Sequence, residues 1–266
     1  MHALYDHVAI AVERWEDAWP RLGVALGGRW VSHGFGPGFA PAQIEFADGM
    51  RVELIQPNDV AVNDFLRRFL DRNGPGPHHL TYKVPDLVGA LREVEDAGLR
   101  PVGVDLSDPF WKEAFLHPRD AALGVVVQLA ESAGEGWHTD PPEGIVPATV
   151  PPAGFVRVCH AVADLDHARG VFEGLLGGEE VAGGGDEGIR WVELTWPGSG
   201  RVRLISPEGG RGPLADWIGD RPGRVHHLAF ACGTPERIEG AVALADGTWE
   251  LPPDPATGTR IVLVRR

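Results

Sequence analysis

Four polar side chains interrupt apolar segments in the first half of the sequence, and their chemical types suggest a metal site. His7 and His79 each open an apolar run, whereas Glu53 and Gln128 each lie inside one. A single residue of this kind is most simply a hydrogen-bonded core group. Two imidazoles, a carboxylate and a carboxamide together form a mixed ligand set that suits one divalent Zn, Co, Ni, Mn or Fe ion. We therefore predict that these four residues hold one metal.

The elements that would position these residues recur along the chain. Residues 52–57 (VELIQP) return as residues 202–207 (VRLISP), and residues 78–80 (HHL) return as residues 226–228. Residues 5–12 likewise correspond to residues 155–162, so three landmarks repeat in one order. The segment between the copies is rich in proline and glycine, which is typical of a linker. We predict a metal-binding domain at residues 1–132, a linker at 133–152, and a second domain at 153–266.

Each domain contains a further, shorter repeat. The first domain divides into modules at residues 1–60 and 74–132, and each module has the predicted order strand, helix, strand, strand, strand. Asp48-Gly49 is predicted to form a two-residue hairpin turn, and Gly98 is predicted to end a helix. The last module of the chain is visibly short. The predicted elements are strands at 7–12, 29–33, 42–47, 51–56, 79–84, 101–106, 112–117 and 124–130, with helices at 15–26, 62–72 and 87–97.

The second domain serves as an internal control for the metal prediction. At the positions that match the four ligands it carries Arg157, Arg203, His227 and Leu263. A guanidinium stays protonated and cannot ligate a cation. We therefore expect this degenerate domain to lack a metal, and its arginines either to pair with local acids or to bind a carboxylate or phosphate.

The first domain resembles the vicinal oxygen chelate superfamily, which includes glyoxalase I, methylmalonyl-CoA epimerase, extradiol dioxygenases and bleomycin-resistance proteins. It is most similar to methylmalonyl-CoA epimerase, through residues 6–9 (DHVA), 52–57 (VELIQP), 76–80 (GPHHL), 115–118 (FLHP) and 124–129 (GVVVQL), in that order. The implied fold is α+β: four βαβββ modules pair into two domains whose curved mixed sheets form a cleft.

The resemblance implies an isomerase, epimerase or lyase that removes a proton next to a carbonyl or thioester. The metal would stabilise the resulting enediolate, and the substrate would be a small 2-oxo compound or an acyl-CoA. Glu53 is a ligand in this scheme, and the counterpart of the family's proton-transferring glutamate is Glu45. Glu113 is a second hairpin glutamate that a plain surface role would also explain. Trp111, Phe115 and His117 are the further candidates for substrate contact.

The order of the ligands departs from the epimerase pattern, which leaves two other functions open. The family order resembles His, Gln, His, Glu, whereas this chain has a carboxylate second and a carboxamide fourth. His7, His79 and Glu53 also match the facial triad of a non-haem Fe(II) dioxygenase. A third possibility is a resistance protein that sequesters a small molecule without turnover.

Composition limits the partners that we expect. The formal net charge of -14 disfavours nucleic acid and anionic membrane surfaces as partners. The two cysteines, Cys159 and Cys232, lie in apolar runs and are expected to be reduced core thiols. No long apolar stretch or secretory leader is evident, so we expect a cytoplasmic protein, which can also form a homodimer.

Overall fold

The computed structural model of the chain describes residues 1–132 and 137–266 and contains two open eight-stranded sheets. The first has the strand order β2-β3-β4-β1-β5-β8-β7-β6, and the second has the order β10-β11-β12-β9-β13-β16-β15-β14. The strands of the first sheet are β1 (Leu4–Ala11), β2 (Arg29–His33), β3 (Gly38–Glu45), β4 (Arg51–Asn58), β5 (Gly76–Lys83), β6 (Pro101–Asp105), β7 (Trp111–Leu116) and β8 (Val126–Ser132). Those of the second are β9 (Gly154–Val162), β10 (Glu179–Asp186), β11 (Ile189–Thr195), β12 (Arg201–Pro207), β13 (Gly223–Cys232), β14 (Val242–Ala243), β15 (Trp249–Leu251) and β16 (Ile261–Arg265).

Five α-helices connect these strands in the described residues: α1 (Trp15–Trp19), α2 (Phe65–Asn73), α3 (Leu87–Asp96), α4 (Leu165–Arg169) and α5 (Pro213–Ile218). α1 and α4 each continue into a π-helical segment, Pro20–Ala25 and Gly170–Leu175 respectively, so this irregularity is repeated. Asp86 caps α3 by accepting a hydrogen bond from the backbone N–H of Gly89, and Gly98 follows the end of α3 with a φ of +77°, as predicted. None of these helices combines the length and apolar character needed to span a bilayer.

The two sheets confirm the predicted fold class. The two central strands are β1 and β5 in the first sheet and β9 and β13 in the second. Each of these strands pairs in parallel with the last strand of its own module. The remaining hairpins are antiparallel. The central strand β1 is buried on both faces, with His7 and Ala9 on one face and Val8 and Ile10 on the other.

The ligand candidates occupy equivalent places in the two modules of the first sheet. Glu53 lies opposite Ala9, two residues beyond His7 on β1. Gln128 lies opposite Thr81, two residues beyond His79 on β5. The strand register therefore confirms that the two histidines are equivalent and that Glu53 and Gln128 are equivalent, as the sequence pattern indicated.

Three local predictions were wrong. The β3–β4 hairpin closes with a three-residue loop, residues 47–49, and not with the predicted two-residue turn at Asp48-Gly49. The backbone N–H of Phe46 bonds to the carbonyl of Met50, and Gly49 adopts a φ of +81°. In the last module, the predicted helix is replaced by a 3₁₀ turn, Pro235–Arg237, because only nine residues separate β13 from the next strand. The compressed final hairpin also shifts the register, so that Val262, and not Leu263, matches Gln128.

Contacts within the chain group its residues into two compact units. One comprises Met1–Asp6, His79–Gly136 and Arg157–His226, and the other comprises His7–His78, Trp137–Val156 and His227–Arg266. Residues 133–136 of the predicted linker lie outside the described residues. The rest of the linker packs along the second unit: His138 forms a β-bridge with His33, Trp19 Nε1 donates to the Val146 carbonyl, and Ala153 bonds to Leu26.

Among the described residues, each unit contains a close backbone approach at a glycine that has a counterpart in the other unit. In the first unit a Cβ on Gly124 would overlap the carbonyl oxygen of Gly223, and in the second a Cβ on Gly258 would overlap that of Pro75. Gly124 and Gly258 also have positive φ values, +70° and +53°. These two glycines precede β8 and β16, and their partners lie at the starts of β13 and β5, so one contact occurs twice.

Candidate metal centre

His7 and Glu53 form the first half of the candidate centre. The His7 side chain is fully buried, and its Nε2 lies 3.5 Å from Glu53 Oε2. Gln43 on β3 lies directly opposite Glu53, donates a 3.0 Å hydrogen bond from Nε2 to Glu53 Oε1, and places the same nitrogen 3.4 Å from His7 Nδ1. Gln43 therefore fixes the orientation of both the carboxylate and the imidazole.

His79 and Gln128 form the second half. Both are buried. Gln128 Oε1 accepts a 2.6 Å hydrogen bond from the Thr81 hydroxyl, and its Nε2 donates a 2.7 Å bond to Glu113 Oε2. An amide oxygen has two lone pairs, so the bond from Thr81 leaves one available to a ligand. The Phe115 ring stands edge-on to the His79 ring at 6.5 Å between centroids.

His7, Glu53 and His79 come together as one buried group. Each offers a ligand atom, and the three atoms lie within 4.8 Å of one another. Two imidazoles and one carboxylate are hard-to-borderline donors of the kind that Zn, Fe, Mn, Co and Ni accept. Their burial makes an isolated charge costly unless a cation compensates it. The donor set therefore fits a divalent metal, with Gln128 as a further oxygen donor; metal binding by these four residues stays a prediction.

Glu45, predicted as the proton acceptor, lies two residues beyond Gln43 on β3. Its carboxylate is bonded to the Arg29 guanidinium and lies 3.6 Å from the Arg51 guanidinium. Glu113 is instead bonded to Gln128 and also accepts a 2.9 Å hydrogen bond from Trp111 Nε1. The register of the three-residue loop explains this outcome, because it sets Gln43 opposite Glu53 and Glu45 opposite Arg51.

The three residues suggested for substrate contact differ in their surroundings. Phe115 lies beside His79, as described above. Trp111 is half-buried, and its indole is bonded to Glu113. His117 is exposed, and its Nδ1 accepts a 3.3 Å hydrogen bond from the backbone N–H of Arg119, so it contributes to a turn.

The sequence analysis missed Gln43 and Thr81. Both are polar residues inside strands, which is the same signal that identified the four ligands. The signal is weaker here because the adjacent residues, Pro41 and Ala42 before Gln43 and Tyr82 and Lys83 after Thr81, do not form a run of large apolar side chains. Thr81 stands where Ala9 stands in the first module, opposite the candidate ligand of the last strand. It is therefore the hydrogen-bond donor that holds the Gln128 amide.

The second sheet has a different group at the equivalent place. Arg157 and Arg203 both bond to the buried carboxylate of Glu193, which lies opposite Arg203 as Gln43 lies opposite Glu53. Nearby, Cys159, His226 and His227 also have potential ligand atoms within 4.8 Å of one another. The absence of a metal from this domain thus stays a prediction.

Comparison with known proteins identifies related sequences and folds. A profile of the glyoxalase, bleomycin resistance protein and dioxygenase superfamily matches residues 6–115. A triple mutant of 4-hydroxymandelate synthase from Streptomyces coelicolor has a TM-score of 0.68 at 13% identity, over 99% of this chain and 92% of that one. No protein with a curated description matches significantly.

Two solved structures match about half of this chain. Methylmalonyl-CoA epimerase from Mycobacterium tuberculosis is 29% identical over 48% of this chain and 87% of its own, with a TM-score of 0.44. A hypothetical protein from Bacillus halodurans C-125 is 24% identical over 51% of this chain and 99% of its own, with a TM-score of 0.46. The profile match thus covers the first sheet, and the whole chain shares its two-sheet fold with 4-hydroxymandelate synthase.

Proposed function

We propose that this chain is a divalent-metal isomerase or epimerase that removes a proton next to a carbonyl or thioester of a small substrate. The observation that carries the proposal is the buried group of His7, Glu53 and His79. When bound there, a divalent metal would supply positive charge that stabilises the negative charge developing on neighbouring substrate oxygens. The superfamily profile that matches residues 6–115 supports such chemistry, and a 2-oxo compound or an acyl-CoA is the substrate class that we propose.

The residues of the chain have separate roles in this proposal. His7, His79, Glu53 and Gln128 hold the metal, and Gln43 and Thr81 orient Glu53 and Gln128 through hydrogen bonds. Glu113 is the hairpin carboxylate in contact with this set, through Gln128, so it is our first candidate to accept the substrate proton. Glu45 is engaged by two arginines and becomes the second candidate.

The binding of a cation should compete with protons at this site. His7 Nε2 faces Glu53 at 3.5 Å and must be free of its proton to ligate a metal. Metal uptake at the site therefore releases protons and weakens as the pH falls. A calorimetric titration with Zn²⁺ in buffers of different ionisation enthalpy measures this proton release.

The proposal is tested by isotope exchange. Protein purified without an affinity metal column is analysed for metal and then incubated in D₂O with a panel of 2-oxo acids and acyl thioesters. We expect exchange of one substrate C–H proton, lost after treatment with a chelator and restored by the metal. Glu53→Gln should abolish exchange, Glu113→Gln should reduce it more than Glu45→Gln, and the exposed Glu95→Gln serves as the matched control. Absence of exchange in the metal-loaded protein across the panel would overturn the proposal.

A non-haem Fe(II) oxygenase is the second candidate function. One observation favours it: the three buried donors whose ligand atoms lie within 4.8 Å of one another, two histidines and Glu53, have the composition of a facial triad. Iron in the purified protein, together with substrate-dependent oxygen uptake, would favour this function. Zinc, cobalt, nickel or manganese with isotope exchange would favour the isomerase.

A further inference from the structure

The second sheet concentrates positive charge at the place where the first sheet carries its candidate metal ligands. Glu193 Oε2 accepts hydrogen bonds from Arg203 Nε (2.9 Å) and Nη2 (2.6 Å) and from Arg157 Nη1 (3.2 Å). Its Oε1 accepts a 3.3 Å bond from Arg201 Nη1. The Glu193 side chain is 5% exposed, whereas the side chains of Arg157 and Arg203 are 20% and 27% exposed. Three guanidiniums thus share one carboxylate.

This cluster is short of negative charge. The pKa of Arg157 is lowered by burial and then by the nearby guanidinium of Arg203, an effect that Glu193 only partly offsets. The Nε of Arg157 is buried and has no hydrogen-bond partner among the described residues. Unpaired donors on a partly desolvated cation are costly, and an anion is the group that satisfies them.

An apolar wall adjoins the guanidiniums. The Arg203 guanidinium stacks over the Trp191 ring at 4.3 Å. Trp191, Ile189 and Trp217 are only partly buried, and they pack against a buried cluster that includes Cys159 and Leu214 of α5. A ligand at this place would therefore meet cationic donors on one side and half-exposed apolar side chains on the other.

We propose that Arg157 and Arg203 form a binding site for a small organic carboxylate with an apolar body. Arginine matches the planar geometry of a carboxylate with two parallel N–H donors, and the exposed parts of Trp191 and Trp217 accommodate the apolar body. Glu193 holds the two guanidiniums in place and completes the site from its buried side. This site is separate from the proposed metal centre and does not depend on its function.

The probe for this site is benzoate, followed by isothermal titration calorimetry on the full chain. We expect saturable binding that is weakened at least about tenfold by Arg157→Gln and by Arg203→Gln, because each removes a charged hydrogen bond. Arg190→Gln, which alters an exposed arginine of the neighbouring strand, and Glu53→Gln, which alters the equivalent position of the first sheet, should leave benzoate binding unchanged. Equal binding by all four variants, or no binding by the unaltered chain, would overturn the site.

Glu193→Gln separates a ligand site from a purely structural ion pair. Replacement of this carboxylate removes the negative charge that competes with benzoate for Arg157 and Arg203, so a true site should bind benzoate about tenfold more tightly in the variant. The benzoate-dependent rise in thermal midpoint should also be larger than in the unaltered chain, and this readout applies even when the variant is less stable. A variant that is destabilised and gains no benzoate-dependent rise would show that Glu193 and the arginines only stabilise the fold.

Two other ligands provide opposing outcomes. Inorganic phosphate that binds in place of benzoate and with higher affinity would overturn the carboxylate assignment. A second equivalent of Zn²⁺ per chain, lost in Cys159→Ala, would show that Cys159, His226 and His227 form a cation site instead. We expect neither, because a cation there would lie beside two guanidiniums and be repelled by them.

Discussion

The two sheets place opposite charges on one backbone framework. His7, Glu53 and Gln43 in the first sheet are replaced by Arg157, Arg203 and Glu193 in the second, at matched positions of the first, fourth and third strands of a module. The first group combines one carboxylate with neutral donors, and we predict that it takes up a cation. The second group contains the cations Arg157 and Arg203, and its carboxylate, Glu193, lies on the neighbouring strand β11. The same framework thus holds a carboxylate with uncharged polar partners or a carboxylate with two guanidiniums.

The largest effect is expected when the charged residue of the first sheet is removed, because the sheet should then lose its metal. Glu53→Ala should lower the affinity for Zn²⁺ by more than about 100-fold, which exceeds the usual cost of altering a residue behind the ligands. A competition titration with a chromogenic chelator measures the affinity. Glu95→Ala is the matched surface control, and unchanged zinc affinity in Glu53→Ala would remove Glu53 from the ligand set.

The second prediction concerns His160, a buried histidine of the second sheet whose equivalent position in the first sheet is Ile10. His160 occupies the position of Ile10, is fully buried, and bonds through Nε2 to the Leu123 carbonyl. Burial lowers its pKa from 6.5 to about 4. Between those pH values the unfolded chain binds a proton that the folded chain does not, so the free energy of unfolding should fall by on the order of 3 kcal/mol as the pH drops.

His160→Ile copies the first sheet and should remove this pH dependence. Its stability at neutral pH also falls, because the Leu123 carbonyl loses a donor, so the slope against pH is the readout. Denaturant unfolding from pH 7 to pH 4 measures it. Equal slopes in the variant and the unaltered chain would show that other groups set the acid stability.

The third prediction concerns the repeated glycine contact. Gly124→Ala and Gly258→Ala should each lower the free energy of unfolding by about 3 kcal/mol, from overlap with a backbone carbonyl and from a positive φ together. Gly98→Ala is the control: its φ is +77° but a Cβ there meets nothing, so only about 1 kcal/mol is expected. Thermal or urea denaturation measures the free energy of unfolding of the three variants. An equal decrease in all three would mean that the close backbone approach does not affect stability.

The smallest effect is expected from Gln43→Leu. Removing the bond to Glu53 and the contact with His7 Nδ1 should weaken zinc binding by about tenfold, within the range for residues that orient a ligand. The same chelator competition measures it, with Gln56→Leu as a control for loss of a strand glutamine that instead bonds to the backbone of Trp15. An effect as large as that of Glu53→Ala would make Gln43 a direct ligand.

Most of the fold was predictable because its signals are local and repeated. The apolar runs, the breaks between them and the two copies of each motif indicated the module order, and the sheet topology confirms it. The candidate ligands stood out because a polar side chain in a strand that is buried on both faces needs a partner. Metal binding itself stays a prediction.

The remainder depended on geometry that a single sequence does not display. One extra residue in the β3–β4 loop places Gln43 opposite Glu53, where the predicted two-residue turn would have placed Ile44. The compressed last hairpin likewise decides between Val262 and Leu263. Arg157 and Arg203 looked like isolated replacements until the register placed Glu193 between them. Turn length and register are set by tertiary packing, which acts across segments far apart in the sequence.

The paired glycine contacts are reciprocal. Position 124 meets position 223, and their repeat equivalents 258 and 75 meet each other. Such reciprocity is the signature of an isologous, two-fold interface between identical subunits. The repeated contact within this single chain therefore resembles the contact between the subunits of a homodimer. Covalent joining makes that association independent of concentration, and each half is then free to change its chemistry without losing its partner.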